Sequence, residues 1–196
     1  MTRKAKAGGG DGFLNGRLLI AMPTMTDPHF AKAVVLVCHH TPETAMGLVL
    51  NRAIAGVSFA SILKQLKVKR PTGAAPALTV HAGGPVQASR GFVLHSDDYR
   101  ADDATLQVAP GIALTATMDV LKALGRDGGP ARAFFALGYA GWGAGQLEAE
   151  LQENAWLIGE PDEAIIFGAE PDAKWMQALA RIGVDPAMLS DAQGHA

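Results

Sequence analysis

Short apolar runs separated by turn-forming residues predict a series of strands along the chain. Each run is rich in β-branched or aromatic residues and is bounded by Gly, Pro, Asn or Asp, which is typical of buried strands. The segments with this pattern are RLLIAM (17–22), AVVLVCHH (33–40), AMGLVLN (45–51), ALTVHAGG (77–84), RGFVLHS (90–96), ARAFFALGYA (131–140) and the shorter AIIFG (164–168). We therefore expect these segments to form the strands of a sheet.

Other segments repeat apolar residues at helical spacing. SFASILKQL, over 58–66, begins at Ser58, a favourable N-cap, and places its apolar residues on one face of a helix. TATMDVLKALG, over 115–125, has similar spacing and ends at a C-capping glycine. PDAKWMQALARIG, over 171–183, begins with proline and aspartate and also ends at a glycine. Each of these segments is predicted to be helical.

The order of these elements predicts the fold class. A run of strands, a helix, further strands and then alternating helix and strand favour an α+β fold with a mixed β-sheet and flanking helices. No interior stretch has the composition of a linker, so we expect a single domain over residues 13–196. Residues 1–12 are basic and rich in glycine, and we expect them to form a flexible N-terminal arm.

The composition narrows the classes of function. The chain has 196 residues, of which 48% are hydrophobic and 18% charged, as in globular proteins. Its longest apolar run, Ala33 to Cys38, is far shorter than the roughly 20 residues of a membrane span, and no secretory apolar stretch follows the basic start. A single cysteine cannot form an internal disulfide. We therefore expect a cytoplasmic protein without membrane association.

The segment GYAGWGAGQLEAEL, over 138–151, is the most distinctive stretch of the chain. Its glycines have neither dinucleotide-binding spacing nor the Gly-Lys-Ser/Thr ending of a phosphate-binding loop. Glu148 and Glu150 would also repel a phosphate from the first turns of the helix that follows. The favoured interpretation is a tight corner between a strand and a helix, in which small residues make room for Trp142. An anion site is the alternative.

Cys38 and His40 occupy alternate positions of one predicted strand, so we expect them to face the same side. An imidazolium near a thiol lowers the thiol pKa, which would suit a nucleophile or a redox sensor. The alternative, which we favour, is an unreactive thiol buried in an apolar strand.

Histidines also stand near the ends of strand-like runs, at His40, His81 and His95. Converging strand ends could bring them together around zinc, but their spacing matches no zinc motif. We favour separate hydrogen-bonding roles and expect neither a metal nor a cofactor. The GGPV segment, over 83–86, is predicted to be a turn between strands, with close backbone approach by a ligand as the alternative.

Several blocks together resemble one protein family. They are GRLLIAMP (16–23), DPHF (27–30), MGLVLN (46–51), GGPV (83–86), RGFVLH (90–95), and GYAGWGAGQLEAEL with NAWL after it. In these blocks the chain resembles the YqgE/AlgH family of bacterial proteins, from Phe13 to about Ser190. The resemblance implies an intracellular domain with a mixed sheet and a role described as transcriptional regulation, without an established reaction. The family tends to have Cys-Glu-His where this chain has Cys38-His39-His40, so an acid beside that histidine is missing here.

The favoured function is that of a non-catalytic intracellular regulatory protein acting through an unknown protein partner or a small ligand. One alternative is an enzyme or redox sensor that uses Cys38 with His40. A direct DNA-binding regulator is the second alternative, which the absence of a helix-turn-helix pattern and the net charge of -2 disfavour. No catalytic residue is assigned. The candidate ligand or partner surface comprises Cys38, His40, Asn51, Gly83, Gly84, Pro85, His95, Gly141, Trp142, Gly145 and Gln146.

Overall fold

The computed structural model describes residues 13–68, 77–124, 129–168 and 170–190, so the predicted arm and residues 191–196 lie outside the described residues. The strands are β1 (Leu18–Ala21), β2 (Val34–His40), β3 (Thr44–Val49), β4 (Ala53–Ser58), β5 (Thr79–Ala82), β6 (Val86–Ser96), β7 (Thr105–Ala109), β8 (Ile112–Thr115), β9 (Ala133–Gly143) and β10 (Trp156–Gly159). The α-helices are α1 (Phe59–Gln65), α2 (Met118–Leu124), α3 (Gln146–Gln152), α4 (Glu163–Phe167), α5 (Lys174–Arg181) and α6 (Pro186–Ser190). None of the helices in these ranges is long and apolar enough to cross a bilayer.

The described strands join into one curled sheet. Its main path runs β10-β1-β2-β3-β9-β6-β8-β7, and β5 pairs with both β9 and β4. Neighbouring strands are antiparallel except β5 and β9, which run parallel with Val80 opposite Phe135. The long strand β9 joins the two halves, because its end pairs with β3 and its beginning with β5 and β6. The predicted α+β fold with a mixed sheet and flanking helices is confirmed.

The predicted strands are confirmed with one exception. AIIFG forms helix α4, because the Asp162 side chain accepts hydrogen bonds from the backbone N–H groups of Ala164 and Ile165 and so starts a helix. A short apolar run suits a buried helix as well as a strand, and only this cap distinguishes them. The helices predicted near 58–66, 115–125 and 171–183 are present as α1, α2 and α5, although Gly125 lies outside the described residues.

Alternate residues of the strands belong to apolar clusters on opposite faces of the sheet. On β1, Leu18 and Ile20 belong to a first cluster that α4 and α5 cover, whereas Leu19 and Ala21 belong to a second cluster that α3 covers. This is the alternation that an extended strand imposes on its side chains. A third cluster packs α1 and α2 against β5, β6 and β9. Both faces of the sheet are therefore buried over much of its area.

Candidate functional site

Trp142 is packed into the corner between β9 and α3. Its side chain is only 4% exposed. Its ring stacks on Phe30, with centroids 6.4 Å apart, and meets the edge of Trp156 at 6.2 Å. The predicted packing of Trp142 in a tight corner is confirmed.

The Glu150 carboxylate holds this corner together. Its Oε2 atom accepts hydrogen bonds from the indole Nε1 of Trp142 at 2.9 Å and of Trp156 at 2.8 Å. Its Oε1 atom accepts from the side-chain amide of Gln146 at 2.9 Å, and Gln146 in turn accepts from the Gly143 backbone N–H. No sequence pattern predicted that Glu150 would accept hydrogen bonds from two indoles, because in the sequence it resembles any charged residue on the exposed face of a helix. The same carboxylate places negative charge where a phosphate would have to approach.

Backbone conformation and close packing account for glycines at the corner. Gly145 has a φ of +70°, in the left-handed region that favours glycine, and directly precedes α3. A Cβ atom on Gly141 would lie 3.2 Å from the Tyr139 ring. These contacts explain the glycines without a bound anion.

The GGPV segment forms the turn between β5 and β6, as predicted, and it crosses β9 at close range. A Cβ atom on Gly83 would lie 2.3 Å from the Gly138 carbonyl oxygen, and one on Gly84 would lie 2.1 Å from the Tyr139 carbonyl carbon. The Gly83 N–H also donates to the Leu137 carbonyl at 2.7 Å. Two backbones in contact thus require Gly83 and Gly84, and Pro85 continues the turn into β6.

Cys38 and His40 do not face the same side of the sheet, so that expectation is wrong. Val37 pairs with Gly47 and His39 pairs with Met46, which makes Cys38 an extra residue in β2. Such a β-bulge interrupts the alternation of side chains. Cys38 packs in the first apolar cluster, whereas His40 pairs with Ala45 of the second cluster.

His40 ties the start of the described chain to α3. Its Nδ1 accepts a hydrogen bond from the Leu14 backbone N–H at 3.0 Å, so Nε2 carries the proton and donates to Glu148 at 2.8 Å. Asn15 adds hydrogen bonds to the backbone N–H and carbonyl of His40. Both ring nitrogens of His40 therefore have partners, and neither is available as a base for the Cys38 thiol.

The Cys38 thiol lacks the properties of a nucleophile. Its Sγ donates a hydrogen bond to the Leu36 carbonyl at 3.5 Å, and the residue is 2% exposed. Burial raises the pKa of the thiol to about 12. A thiolate is the reactive form, so the thiol is protonated and shielded at neutral pH.

Cys38 should react slowly with dithiobis(nitrobenzoate) in the native protein and rapidly after denaturation in guanidinium chloride. Between about pH 7 and about pH 9, the native rate should stay far below that of the denatured protein and should not level off near the ordinary thiol pKa of about 8.5, because burial raises the pKa of the Cys38 thiol to about 12. Absorbance of the released thionitrobenzoate measures both rates. Fast native labelling that follows an ordinary thiol titration would restore the redox-sensor alternative.

Asn51 and His95 hydrogen-bond within the fold. The Asn51 side chain accepts from the Val34 N–H at 2.9 Å and donates to the Lys32 carbonyl at 2.8 Å. His95 donates from Nδ1 to the Ser96 carbonyl at 2.8 Å and accepts at Nε2 from the Thr115 hydroxyl at 2.9 Å. Burial lowers the pKa of His95, which favours this neutral form.

A cavity of about 470 Å³ lies between α1, α2 and strands β6 and β9. Its walls are mainly apolar, and the Thr117 hydroxyl beside it is buried without a hydrogen-bond partner among the described residues. The lining residues include Ile62, Leu66, Val93, Leu121, Phe135 and Leu137, with Gln65, Ser89, Arg90, Thr115 and Thr117 as polar members. An apolar cavity with few polar groups is the usual form of a small-molecule site.

A family model described as AlgH-like matches residues 18–187 of the chain. The chain belongs to the AlgH-like family. UPF0301 proteins of Nitrobacter hamburgensis and Cereibacter sphaeroides are 48% and 49% identical to it, covering 94% and 93% of this chain and 88% and 99% of their own lengths. The AlgH protein from Pseudomonas aeruginosa, solved in solution, is 41% identical with a TM-score of 0.77, covering 97% of this chain and all of that one. A Corynebacterium diphtheriae protein, 17% identical with a TM-score of 0.70 over 97% of this chain and 94% of its own, shares the fold.

The site residues predicted for this AlgH-like chain do not converge on one place. Gly141 and Trp142 line an open groove of about 390 Å³ together with Thr44 and Met46. The 83–85 turn packs against β9 near that groove, and Gly145 and Gln146 lie at the start of α3. Cys38, Asn51 and His95 are buried away from the groove, and His40, His81 and His95 have separate surroundings. Within the described ranges, no three His, Cys, Asp or Glu residues are placed to hold a metal ion.

Proposed function

We propose that this AlgH-like protein is a non-catalytic intracellular regulatory protein that acts by binding a small, largely apolar molecule in the 470 Å³ cavity. The observation that carries the proposal is an apolar cavity next to the buried Thr117 hydroxyl, which has no hydrogen-bond partner in the described part of the chain. A buried polar group without a hydrogen bond costs about 1 to 3 kcal/mol, and a ligand with one polar group would remove that cost.

The shape of the cavity supports a regulatory role. Its walls come from separate elements, with Ile62 and Gln65 on α1 and Leu121 on α2. Arg90 lines both this cavity and the open groove, so a ligand that contacts Arg90 would also alter the groove that a protein partner contacts. The groove lined by Gly141 and Trp142 is the surface that we propose for this partner.

The alternatives have less support. An enzyme or redox sensor would need Cys38 to meet a base, but His40 lies on the other face with both nitrogens occupied. Direct DNA binding would need a contiguous row of cations, and the chain has a net charge of -2. Of the basic cluster near the end of α1, Lys64 and Lys67 are described and exposed, whereas Lys69 and Arg70 lie outside the described residues.

A substitution at the cavity mouth tests the proposal. Ser89 is exposed and lines the cavity, so Ser89→Trp should fill its entrance without disturbing the fold. A fluorescence titration with anilinonaphthalene sulfonate should show saturable binding to the parent and at least about tenfold weaker binding to this variant. Ala88→Trp is the matched control, because Ala88 is exposed on the same strand but does not line the cavity. The proposal fails if the folded parent does not bind saturably, or if both variants bind equally well.

A further inference from the structure

Lys174 is a lysine buried inside the protein. It is the first residue of α5 and is only 1% exposed. Its Nζ donates one hydrogen bond, to the Ile166 carbonyl at 3.0 Å, and lies 5.1 Å from the centre of the Phe134 ring. Among the described residues, no Asp or Glu forms an ion pair with it. Burying a cation without an anionic partner costs free energy, so the presence of Lys174 at this position points to a role beyond packing.

A second cavity, of about 370 Å³, lies beside Lys174 between α4 and α5. Its lining residues include the basic Lys174 and Arg181, the amide Gln177, and the apolar Ala164 and Ile165. Arg181 uses its Nε for Asp162, at 2.9 Å, and its guanidinium group carries four further N–H donors. Donors are thus available on both cationic residues.

The elements behind Lys174 supply no negative charge. His81 of β5 stacks on Phe134 with ring centroids 4.2 Å apart, and its Nε2 has no partner among the described residues. Burial and then the Lys174 charge lower the pKa of His81 to about 4, so this imidazole is neutral at physiological pH. An anion for Lys174 would therefore have to enter from the cavity.

We propose that this second cavity binds a small monocarboxylate, whose oxygens accept hydrogen bonds from Lys174 and Arg181 and whose short chain contacts Ala164 and Ile165. A single carboxylate matches the single unpaired buried charge. A dianion such as phosphate would be repelled by Glu170 on the same wall and by Asp162 beside Arg181. The apolar side of the cavity favours a ligand with a few methylene groups.

A structural explanation of Lys174 makes a different prediction. Its contact with the Ile166 carbonyl could merely stabilise the C-terminal end of α4, where the helix dipole favours a positive charge. In that case carboxylates would not bind near Lys174 in any of the variants below. The two explanations are therefore separable by ligand titration.

The experiment is a titration of the ¹⁵N-labelled full chain with acetate, butyrate and hexanoate, followed by backbone amide shifts at constant ionic strength. Butyrate should shift the amides of Gly168 and Gln177 saturably, whereas neutral butyramide and inorganic phosphate should not. Lys174→Met should abolish these shifts, and Arg181→Gln should weaken binding at least about fivefold. If Lys174→Met does not fold, Arg181→Gln still tests the proposal, because the Arg181 side chain is 65% exposed and its replacement should not disturb the core. Ser89→Trp, at the other cavity, should bind butyrate as the parent does.

The pH profile of butyrate binding adds a test that needs no variant. Burial lowers the pKa of Lys174 to about 8, so binding should weaken about 30-fold between about pH 7 and about pH 9.5 as the ammonium group loses its proton. The other charged or titratable groups facing this cation are His81, Asp162, Glu170 and Arg181. His81 stays neutral throughout this range, because burial and then the Lys174 charge lower its pKa to about 4. Equal binding of butyrate and butyramide, unchanged binding by Lys174→Met, a flat pH profile, or no shifts with any of the acids would overturn the proposal.

Discussion

Replacing Trp142 with alanine is expected to lower the free energy of unfolding by about 3 to 5 kcal/mol, the usual cost of deleting a buried aromatic ring. The ring contacts Phe30 and Trp156, and its N–H is one of the donors that hold Glu150. Its removal would leave a cavity and weaken the link between β9 and α3. Urea denaturation of the parent and the variant measures the loss.

Trp142→Phe separates packing from hydrogen bonding at this corner. It keeps an aromatic ring and removes the N–H that Glu150 accepts, so the expected loss is smaller, about 1 to 2 kcal/mol. A Trp142→Ala variant as stable as the parent would contradict the packing role. If that variant also lost binding of a partner, Trp142 would act in the proposed partner surface and not in the packing of the corner.

Acidification from about pH 7 to about pH 4 is expected to cost about 3 kcal/mol of folding stability through His81. Burial, and then the positive charge of Lys174, lower the pKa of His81 to about 4 in the folded protein. The unfolded chain takes up this proton near the ordinary value of about 6.5, so it binds more protons over the whole interval. Stability therefore falls as the pH falls through this window and levels off below it.

The position of the single ring proton of neutral His81 explains why the folded protein binds a second proton there only weakly. Its Nδ1 donates to the Phe135 carbonyl at 3.3 Å, so protonation would have to occur at Nε2, which has no partner among the described residues. His81→Phe keeps a ring against Phe134 and removes the titration. The stability of the parent relative to this variant should drop by about 3 kcal/mol between about pH 7 and about pH 4 in urea denaturation. Parallel stability curves for the two proteins would exclude this role, since the contribution of His95 is common to both.

The parts of the fold that were predictable are those that local patterns specify. Buried strands such as β2 and β9 are continuous apolar runs, and Ser58 marks the start of α1 by its own hydrogen bond to Ser61. Strand β4 was not predicted, because it is largely exposed and contains Gly56 and so has no apolar run. Strands β7, β8 and β10 are short, and their pairing partners rather than their composition make them strands.

The candidate sites were harder to predict, because they depend on how elements meet. The alternation rule misplaced His40 relative to Cys38, since a bulge forms through pairing with β3 and leaves no local signal. Lys174 follows a predicted helix start and reads as a solvated residue, but α4 and β9 bury it. The corner was predictable because glycine and tryptophan so close together have few other uses.

The central position of β9 has a consequence for the order of folding. Thr44 of β3 pairs with Gly143, and Leu18 of β1 pairs with Gly159. One edge of each strand therefore lacks its partner until much later in synthesis. The early strands of the nascent chain therefore expose unpaired edges during most of synthesis, a state that invites association with other chains. Contacts this distant in sequence also make folding slow, on a scale of roughly milliseconds to seconds. Pairing of these edges is complete only when β9 and β10 have emerged.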